Sequence, residues 1–325
     1  MRMSAFPLGY MLHIAVLCAQ GLGDALLMMI PTHHFMLQGH TMTFYHDHPD
    51  MLAPLFPHVA ISSYPDISAF ALHFHKYDLL LVENDHGERA WTVHKLREEN
   101  LLASVTFLFP TSPKYPHQPR DVLFDTKLPM ASNLQKACQK LLQKPEVTKE
   151  NGLIQPQGIK ALHAKRIALH PTSKDPQRNW SKKQFLSLAN KLTFLGYEPC
   201  FVLHEREKKA WEYLPKHLLF VFSELPALCQ FLHESLALIG NDSGLGHLAS
   251  NLGLPTVTIS GNPKRARLWR PDWSPNSLAT IPSLLLPNFK GIKLNLRDNY
   301  WQNFVTVDKV LRRFTKLITT YSRSS

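Results

Sequence analysis

One stretch of the chain combines residue types that could do chemistry at close spacing: "LIGNDSGLGHLASNLGLPTV", Leu238 to Val257. It reads as an apolar run, a small polar turn, a helix and a second apolar run. It fails as a nucleophile elbow, because G-x-S-x-G needs a glycine two residues after the serine and Ser243 is followed at once by Gly244. It fails as a nucleoside-triphosphate loop, because no G-K-[ST] is present. What remains is a turn offering backbone N–H groups, the Ser243 hydroxyl and the Asp242 carboxylate at a helix N-terminus. His247 lies one turn in, on the face it shares with Ser243. That set suits an anion bearing a polar group, such as a phosphorylated sugar. A plain capped corner uses the same residues.

Other loops offer complementary chemistry. "LHPTSKDPQRNWS" sets Thr172, Ser173, Lys174 and Arg178 between a strand and a helix. Hydroxyls, cations and a helix N-terminus can hold a pyrophosphate, and a merely solvated polar loop is the plain reading. Trp180 reads as a packing anchor. In "VLHEREKKAW", Glu205 and Glu207 follow a strand. Either carboxylate can accept both hydroxyls of a ribose or simply decorate a first helical turn. In "CAQGLGDALLMMIP", Gly21 and Gly23 permit close backbone approach, and Asp24 is either a helix cap or a general base. "GNPKRARLWRPDW" interleaves Lys264, Arg265, Arg267 and Arg270 with Trp269 and Trp273. It fits nucleic acid, an anionic glycolipid surface, or a solvated loop. Two H-x-H pairs, His46/His48 and His73/His75, invite a metal. With 18 histidines in the chain such pairs arise by chance, so no metal site is expected.

The elements that must position these residues alternate strand and helix almost throughout, which predicts parallel sheets with helices on both faces. "LHIAVL", "TMTFY" and "YDLLLVE" are strands of a first half, with helices over "DALLMMIPTHHFMLQG" and "ASNLQKACQKLLQK". Residues 110–130 are proline-rich loop, and the polar stretch 145–160 marks a boundary. A second half restarts with the strand "RIALH" and the helix "SKKQFLSLANKLTFLG". There Ser181 and Gln184 form a capping box and Gly196 ends the helix. "PCFVL", "LALIG" and "PTVTIS" are further strands. "LPALCQFLHES", "SGLGHLASNLG" and "TVDKVLRRFTKLITTY" are further helices. The expected organisation is a Rossmann-like domain over residues 1–155, a second over 156–300, and a C-terminal helix over 301–325 that can cross back to the first. In such sheets ligands bind where loops leave the carboxyl ends of the strands.

The 325 residues suffice for two domains, and 44% hydrophobic content excludes wholesale disorder. No apolar run of about 18 residues predicts a transmembrane helix. The opening "MRMSAFPLGYMLHIAVLCAQG" reads as a short extension and a strand rather than an export signal. Four scattered cysteines, Cys18, Cys138, Cys200 and Cys229, fit a reducing cytoplasm. A net charge of +11 suits anionic partners.

Taken in order, these segments resemble the heptosyltransferase family of glycosyltransferases, family 9, which includes the ADP-heptose:lipopolysaccharide heptosyltransferases. "GLGDALLMMIP" resembles the family's opening segment, and "HPTSKDPQRNWSKKQFLSLANKL" its phosphate loop and following helix. "SELPALCQFLHESLALIGNDSGLGHLASNLGLPTVTISG" is similar to its signature of acid, Ser/Thr, Gly, Leu, any residue, His. "VTVDKVL" resembles its last helix. The resemblance covers most of the chain and is strongest in the second half. It implies an α/β GT-B fold, two doubly wound Rossmann-like domains facing a central cleft, with the acceptor on the first and the nucleotide sugar on the second. It implies inverting transfer of a sugar, by default heptose from ADP-heptose, to a lipopolysaccharide inner-core acceptor, with neither metal nor cofactor. By position, Asp24 would be the base that deprotonates the acceptor. Thr172, Ser173 and Arg178 would hold the donor phosphates. Glu205 or Glu207 would meet the ribose and Ser223 the nucleotide base. Asp242, Ser243, Gly244, Leu245 and His247 would line the phosphate and sugar. Gly23, Lys264, Arg265 and Arg267 would serve the acceptor or the inner membrane surface, from the cytoplasmic side. Nucleic acid is then not an expected partner.

Two departures bear on the donor. The family usually has Lys before the Trp, often followed by Trp-Pro, whereas this chain reads Arg178-Asn179-Trp180-Ser181. Arginine replaces a point charge by a fork. A glycine-rich entry to the ribose segment is absent before His204. A related GT-B sugar-nucleotide epimerase, an enzyme using another nucleotide sugar, and a non-catalytic nucleotide binder are the alternatives.

Overall fold

The computed structural model describes residues 10–109, 117–281 and 301–321. The chain forms two compact units, Met1–Ile154 and Gln155–Ser325. The start of the proline-rich loop, residues 110–116, lies outside the described residues, as do 1–9, 282–300 and 322–325.

The first unit is built on five parallel strands in the order β3-β2-β1-β4-β5. They are β1 (His13–Leu17), β2 (Thr41–Tyr45), β3 (Ala60–Ser62), β4 (Leu79–Glu83) and β5 (Val105–Leu108). β4 reads Leu-Leu-Leu-Val-Glu and is buried along its whole length, as a strand covered on both faces must be. Helix α1 (Leu22–Met36) returns the chain from β1 to β2 and buries eleven of its 15 residues. The other helices of this unit are α2 (Pro49–Leu52), α3 (Phe70–Phe74), α4 (Glu88–Glu98) and α5 (Met130–Leu142).

The second unit has six parallel strands in the order β11-β10-β9-β6-β7-β8. These are β6 (His163–His170), β7 (Glu198–His204), β8 (Leu219–Phe222), β9 (Ser235–Asn241), β10 (Thr256–Ser260) and β11 (Asn276–Thr280). Between them run α6 (Lys182–Phe194), α7 (Leu225–His233), α8 (Gly244–Asn251) and α9 (Pro263–Trp269). Ser181 caps α6 by accepting from the Gln184 N–H. The reciprocal arm of the expected capping box is absent: the Gln184 side-chain oxygen accepts from the Ser181 hydroxyl at 2.8 Å rather than from its backbone N–H, and the amide nitrogen donates to the carbonyls of Gln302 and Val305. Gly196, at φ +82°, supplies the left-handed turn after α6. The helix Val307–Tyr321 packs within this second unit, where Val310 and Phe314 share a core with Ile167, Trp180, Phe185 and Phe201. The sequence left open a return of this helix to the first domain.

Both sheets have a switch point, where the chain leaves one central strand in one direction and resumes beside it in the other. It lies between β1 and β4 in the first sheet, and between β6 and β9 in the second. The loops that leave the carboxyl ends of these four strands hold most of the residues singled out above.

Candidate active site

At the second switch point β6 and β9 approach so closely that a side chain on Gly240 would be crowded. Gly240 pairs with His170, and a Cβ on Gly240 would lie 3.0 Å from both the Cβ and the carbonyl oxygen of His170. This approach brings two loops together, Pro171–Trp180 after β6 and Asp242–Ser243 after β9. They are tied by a polar bridge. The Asn241 side chain accepts from the Trp180 N–H at 2.9 Å and donates to Asn179 Oδ1 at 3.3 Å. The Ser173 hydroxyl lies 2.7 Å from the same Asn179 oxygen. Trp180, 2% exposed, donates its indole N–H to the Val305 carbonyl and anchors the arrangement in the core.

Ser243 is the N-cap residue of α8, yet its hydroxyl makes no capping bond and is buried without a hydrogen-bond partner. Thr172 Oγ1 and His247 Nδ1 are likewise buried and unpartnered. Burial pushes the His247 imidazole down to about 4, against the opposing pull of Asp242, so it is neutral at pH 7. Its ring hydrogen-bonds the Trp269 backbone and lies edge-on to Trp273. Gly244 and Leu245 open α8, and Leu245 is buried. Orphan polar atoms in a protein interior are costly and call for an explanation. Two of these three belong to the N-cap and first turn of α8, and the third lies in the loop after β6.

Two guanidinium groups converge on Asp242. Arg178 Nη1 lies 3.7 Å from Asp242 Oδ2, and Arg265 Nε lies 3.2 Å from the same oxygen. Arg178 also pairs with Asp175, its Nε lying 3.5 Å from Asp175 Oδ2, so two cations beside the α8 N-terminus are held by carboxylates that a phosphate could replace. Arg265 therefore belongs with this site by geometry, although the sequence grouped it with Lys264 and Arg267 as a surface cation. Those two are exposed on α9.

The ribose candidates part company. Glu207 Oε2 accepts from the His204 N–H at 2.8 Å, and His204 caps the same turn, so Glu207 is committed to its own 3₁₀ helix. Glu205 is exposed and pairs with Lys208 at 3.2 Å. Ser223 is exposed in the turn after β8. Ser173 is spent inside its loop, whereas the buried Thr172 hydroxyl has no hydrogen-bond partner. Asn179 and Asn241, which the sequence reading passed over, hold the two loops in register. Their signal was their place beside Trp180 and Asp242 in the quoted segments.

In the first unit Asp24 is the third residue of α1. Gly21 occupies the N-cap position, so Asp24 is not itself the cap. The carboxylate folds back over the turn, and a Cβ on Gly21 would lie 2.3 Å from Asp24 Oδ2. A side chain at position 21 would displace that carboxylate. Gly23 is buried in the same turn. One imidazole of each histidine pair is engaged internally: His46 Nδ1 accepts from the His48 N–H, and His73 bonds the Tyr45 hydroxyl.

The sequence profile described as glycosyltransferase family 9 (heptosyltransferase) matches residues 88–282, more than half of the chain. The chain belongs to this family. It is a family 9 glycosyltransferase with the GT-B-like α/β fold. Solved structures of similar fold include a family 9 glycosyl transferase from Veillonella parvula DSM 2008, at TM-score 0.66 and 17% identity, covering 97% of this chain and 99% of that one. ADP-heptose lps heptosyltransferase II of E. coli aligns at TM-score 0.61 and 16% identity over 95% and 99% of the two chains. E. coli heptosyltransferase WaaC with ADP aligns at TM-score 0.61 and 14% identity over 94% and 99%. No curated protein sequence matches the chain. Among the described residues of this family 9 enzyme, no helix is long and apolar enough to cross a membrane, and no group of three or more His, Cys, Asp or Glu could hold a metal ion.

Proposed function

We propose that this glycosyltransferase moves heptose from ADP-heptose to a lipopolysaccharide inner-core acceptor by a single inverting displacement without a metal ion. The observation that carries the reading is the set of orphan polar atoms and paired arginines at the α8 N-terminus. Thr172, Arg178, Ser243, His247 and Arg265 present hydroxyls, an imidazole and two cations to one place at the β6–β9 switch point.

A nucleotide then runs across the strand ends in order. The diphosphate lies between β6 and β9, held by Thr172, Arg178, Arg265 and the N–H groups of Gly244 and Leu245. The ribose lies beyond β7, on Glu205, which can exchange its exposed partner Lys208 for the ribose hydroxyls. The base lies beyond β8, near Ser223. Each step between strands is about 4.8 Å, a spacing suited to a mononucleotide. Ser243, Asp242 and His247 remain for the sugar.

Breaking the sugar–phosphate bond leaves growing negative charge on the nucleoside diphosphate. Two guanidinium groups and a helix N-terminus can stabilise that charge where other enzymes use a divalent ion. Asp24 takes the acceptor proton, a contribution of typically about 10²–10⁴-fold. The donor choice rests on the names of the similar structures, two of which carry ADP-heptose or ADP in their descriptions. Lys264 and Arg267, exposed beside Arg265, would meet the anionic glycolipid or the cytoplasmic face of the inner membrane.

The test is calorimetric binding of ADP-, UDP- and GDP-sugars followed by transfer assays on core lipopolysaccharide. ADP-heptose should bind in preference, EDTA should leave transfer intact, and the product linkage should be inverted by NMR. Asp24→Asn should abolish transfer without weakening donor binding. A preference for a UDP-sugar, or loss of activity in EDTA, would overturn the corresponding part.

A further inference from the structure

The loop that leads into Asp24 is held mainly by side chains. After β1 ends at Leu17, the Cys18 N–H reaches the Tyr45 carbonyl only at 3.4 Å. The firmer bonds are to Tyr64, whose hydroxyl donates to the Cys18 carbonyl at 2.8 Å, and to Glu83, whose Oε2 accepts from the Ala19 N–H at 2.9 Å. The Cys18 thiol also approaches that oxygen at 3.6 Å. Glu83 is the last residue of β4, directly across the switch point from β1, and only 7% exposed. Both groups that bond it, an amide and a thiol, are uncharged. Burying a carboxyl against uncharged partners costs free energy that a leucine at this strand end would not.

We propose that Glu83 is a positioning residue for the transfer reaction: its buried carboxyl fixes the Cys18–Gly21 loop and so sets the direction in which Asp24 meets the acceptor hydroxyl. The inference rests on the reading of Asp24 as the base. The loop spans four residues, and Asp24 lies within the first turn of the helix it starts, so loop displacement passes directly to the carboxylate.

The charge state follows from the neighbours. Asp24 faces Glu83 from α1, Asp85 from the chain after β4, Cys18 from the end of β1 and Tyr64 from the chain after β3. Arg89 of α4 lies over the Tyr64 ring and is bound by Asp47. Burial, and then the charge of Asp24, push the Glu83 carboxyl well above the usual range. Glutamine keeps an acceptor oxygen for the Ala19 N–H and should replace Glu83, whereas alanine leaves that N–H without its acceptor.

The experiment compares wild type, Glu83→Ala, Glu83→Gln and Asp24→Asn, using ADP-heptose and core lipopolysaccharide. Glu83→Ala should lower kcat about 10²-fold, the cost of displacing a catalytic group by about 1 Å, with the KM for donor unchanged. Amide exchange should rise in the 18–21 segment of that variant. Glu83→Gln should restore kcat, loop protection and the pH profile of kcat/KM to wild type. Wild-type kcat in Glu83→Ala, or equal damage in both Glu83 variants, would overturn the proposal. If Asp24→Asn is inactive while Glu83→Ala is normal, the positioning role alone fails. If Asp24→Asn transfers at the wild-type rate, the base assignment fails first.

Discussion

The shared carboxylate of Asp242 makes a quantitative prediction about its two arginines. Arg178 and Arg265 sit 3.7 Å and 3.2 Å from one oxygen, and their side chains are 34% and 44% exposed. A charge-assisted bond to a phosphate contributes about 1.5–3 kcal/mol. Exposure of a third to a half places each arginine near the lower end. Arg178→Ala and Arg265→Ala should therefore each weaken ADP binding about tenfold. Each single variant still has one cation beside the Asp242 carboxylate before ligand arrives.

The double variant is different. It leaves Asp242, only 10% exposed, unneutralised beside the incoming diphosphate. Like charges about 5 Å apart repel by about 1–3 kcal/mol at the effective dielectric of a partly buried site. The double loss should then exceed the product of the single losses by about tenfold or more, a failure of additivity expected for groups sharing a partner. Adding Asp242→Asn to the double variant should recover that excess and nothing else. Calorimetry with ADP at fixed, low salt reads all five proteins. Multiplicative losses, or no recovery on removing the Asp242 charge, would refute the shared-carboxylate reasoning.

Other predictions follow from single features of the second unit. His247 titrates near 4 in the fold through burial and near 6.5 when unfolded. The unfolded chain binds the proton first, so this contribution is fully present above pH 6.5 and is lost as pH falls toward 4, by up to about 3 kcal/mol. Denaturant unfolding at several pH values should show a shallower acid loss in His247→Gln, and an unchanged slope would discount the burial. Gly240→Ala places its methyl 3.0 Å from the His170 Cβ and backbone. It should cost about 1–3 kcal/mol by overpacking, lowering the thermal midpoint and weakening donor binding together. A variant as stable and as tight-binding as wild type would show that the strands have room to separate. Trp180→Ala removes a buried indole and its bond to Val305. A loss of about 3–5 kcal/mol in unfolding free energy is expected, and a loss below about 1 kcal/mol would mean the indole is not the anchor.

The parts of the fold that the sequence disclosed, and those it hid, separate by position in the sheets. Central strands such as β1, β4, β9 and the second half of β6 are buried over most of their length and read as largely apolar runs. The four strands that the sequence analysis did not name, β3, β5, β8 and β11, are the edges of the two sheets. β3 and β8 are three and four residues long and largely half-exposed, and β11 is a half-exposed five, so their residues carry little periodicity. The site divides by a related rule. Groups whose partners lie in the same loop or the next turn, such as Ser243 and His247 on α8, could be read from spacing. Arg265 meets Asp242 across 23 positions and Glu83 meets Ala19 across 64. Both contacts depend on which strands lie side by side. The β1–β4 and β9–β10 neighbours are set by sheet order, which no local pattern encodes. A cationic helix therefore looked like free surface, and a buried acid at a strand end had no apparent role, until the parallel order placed each beside the loop it serves.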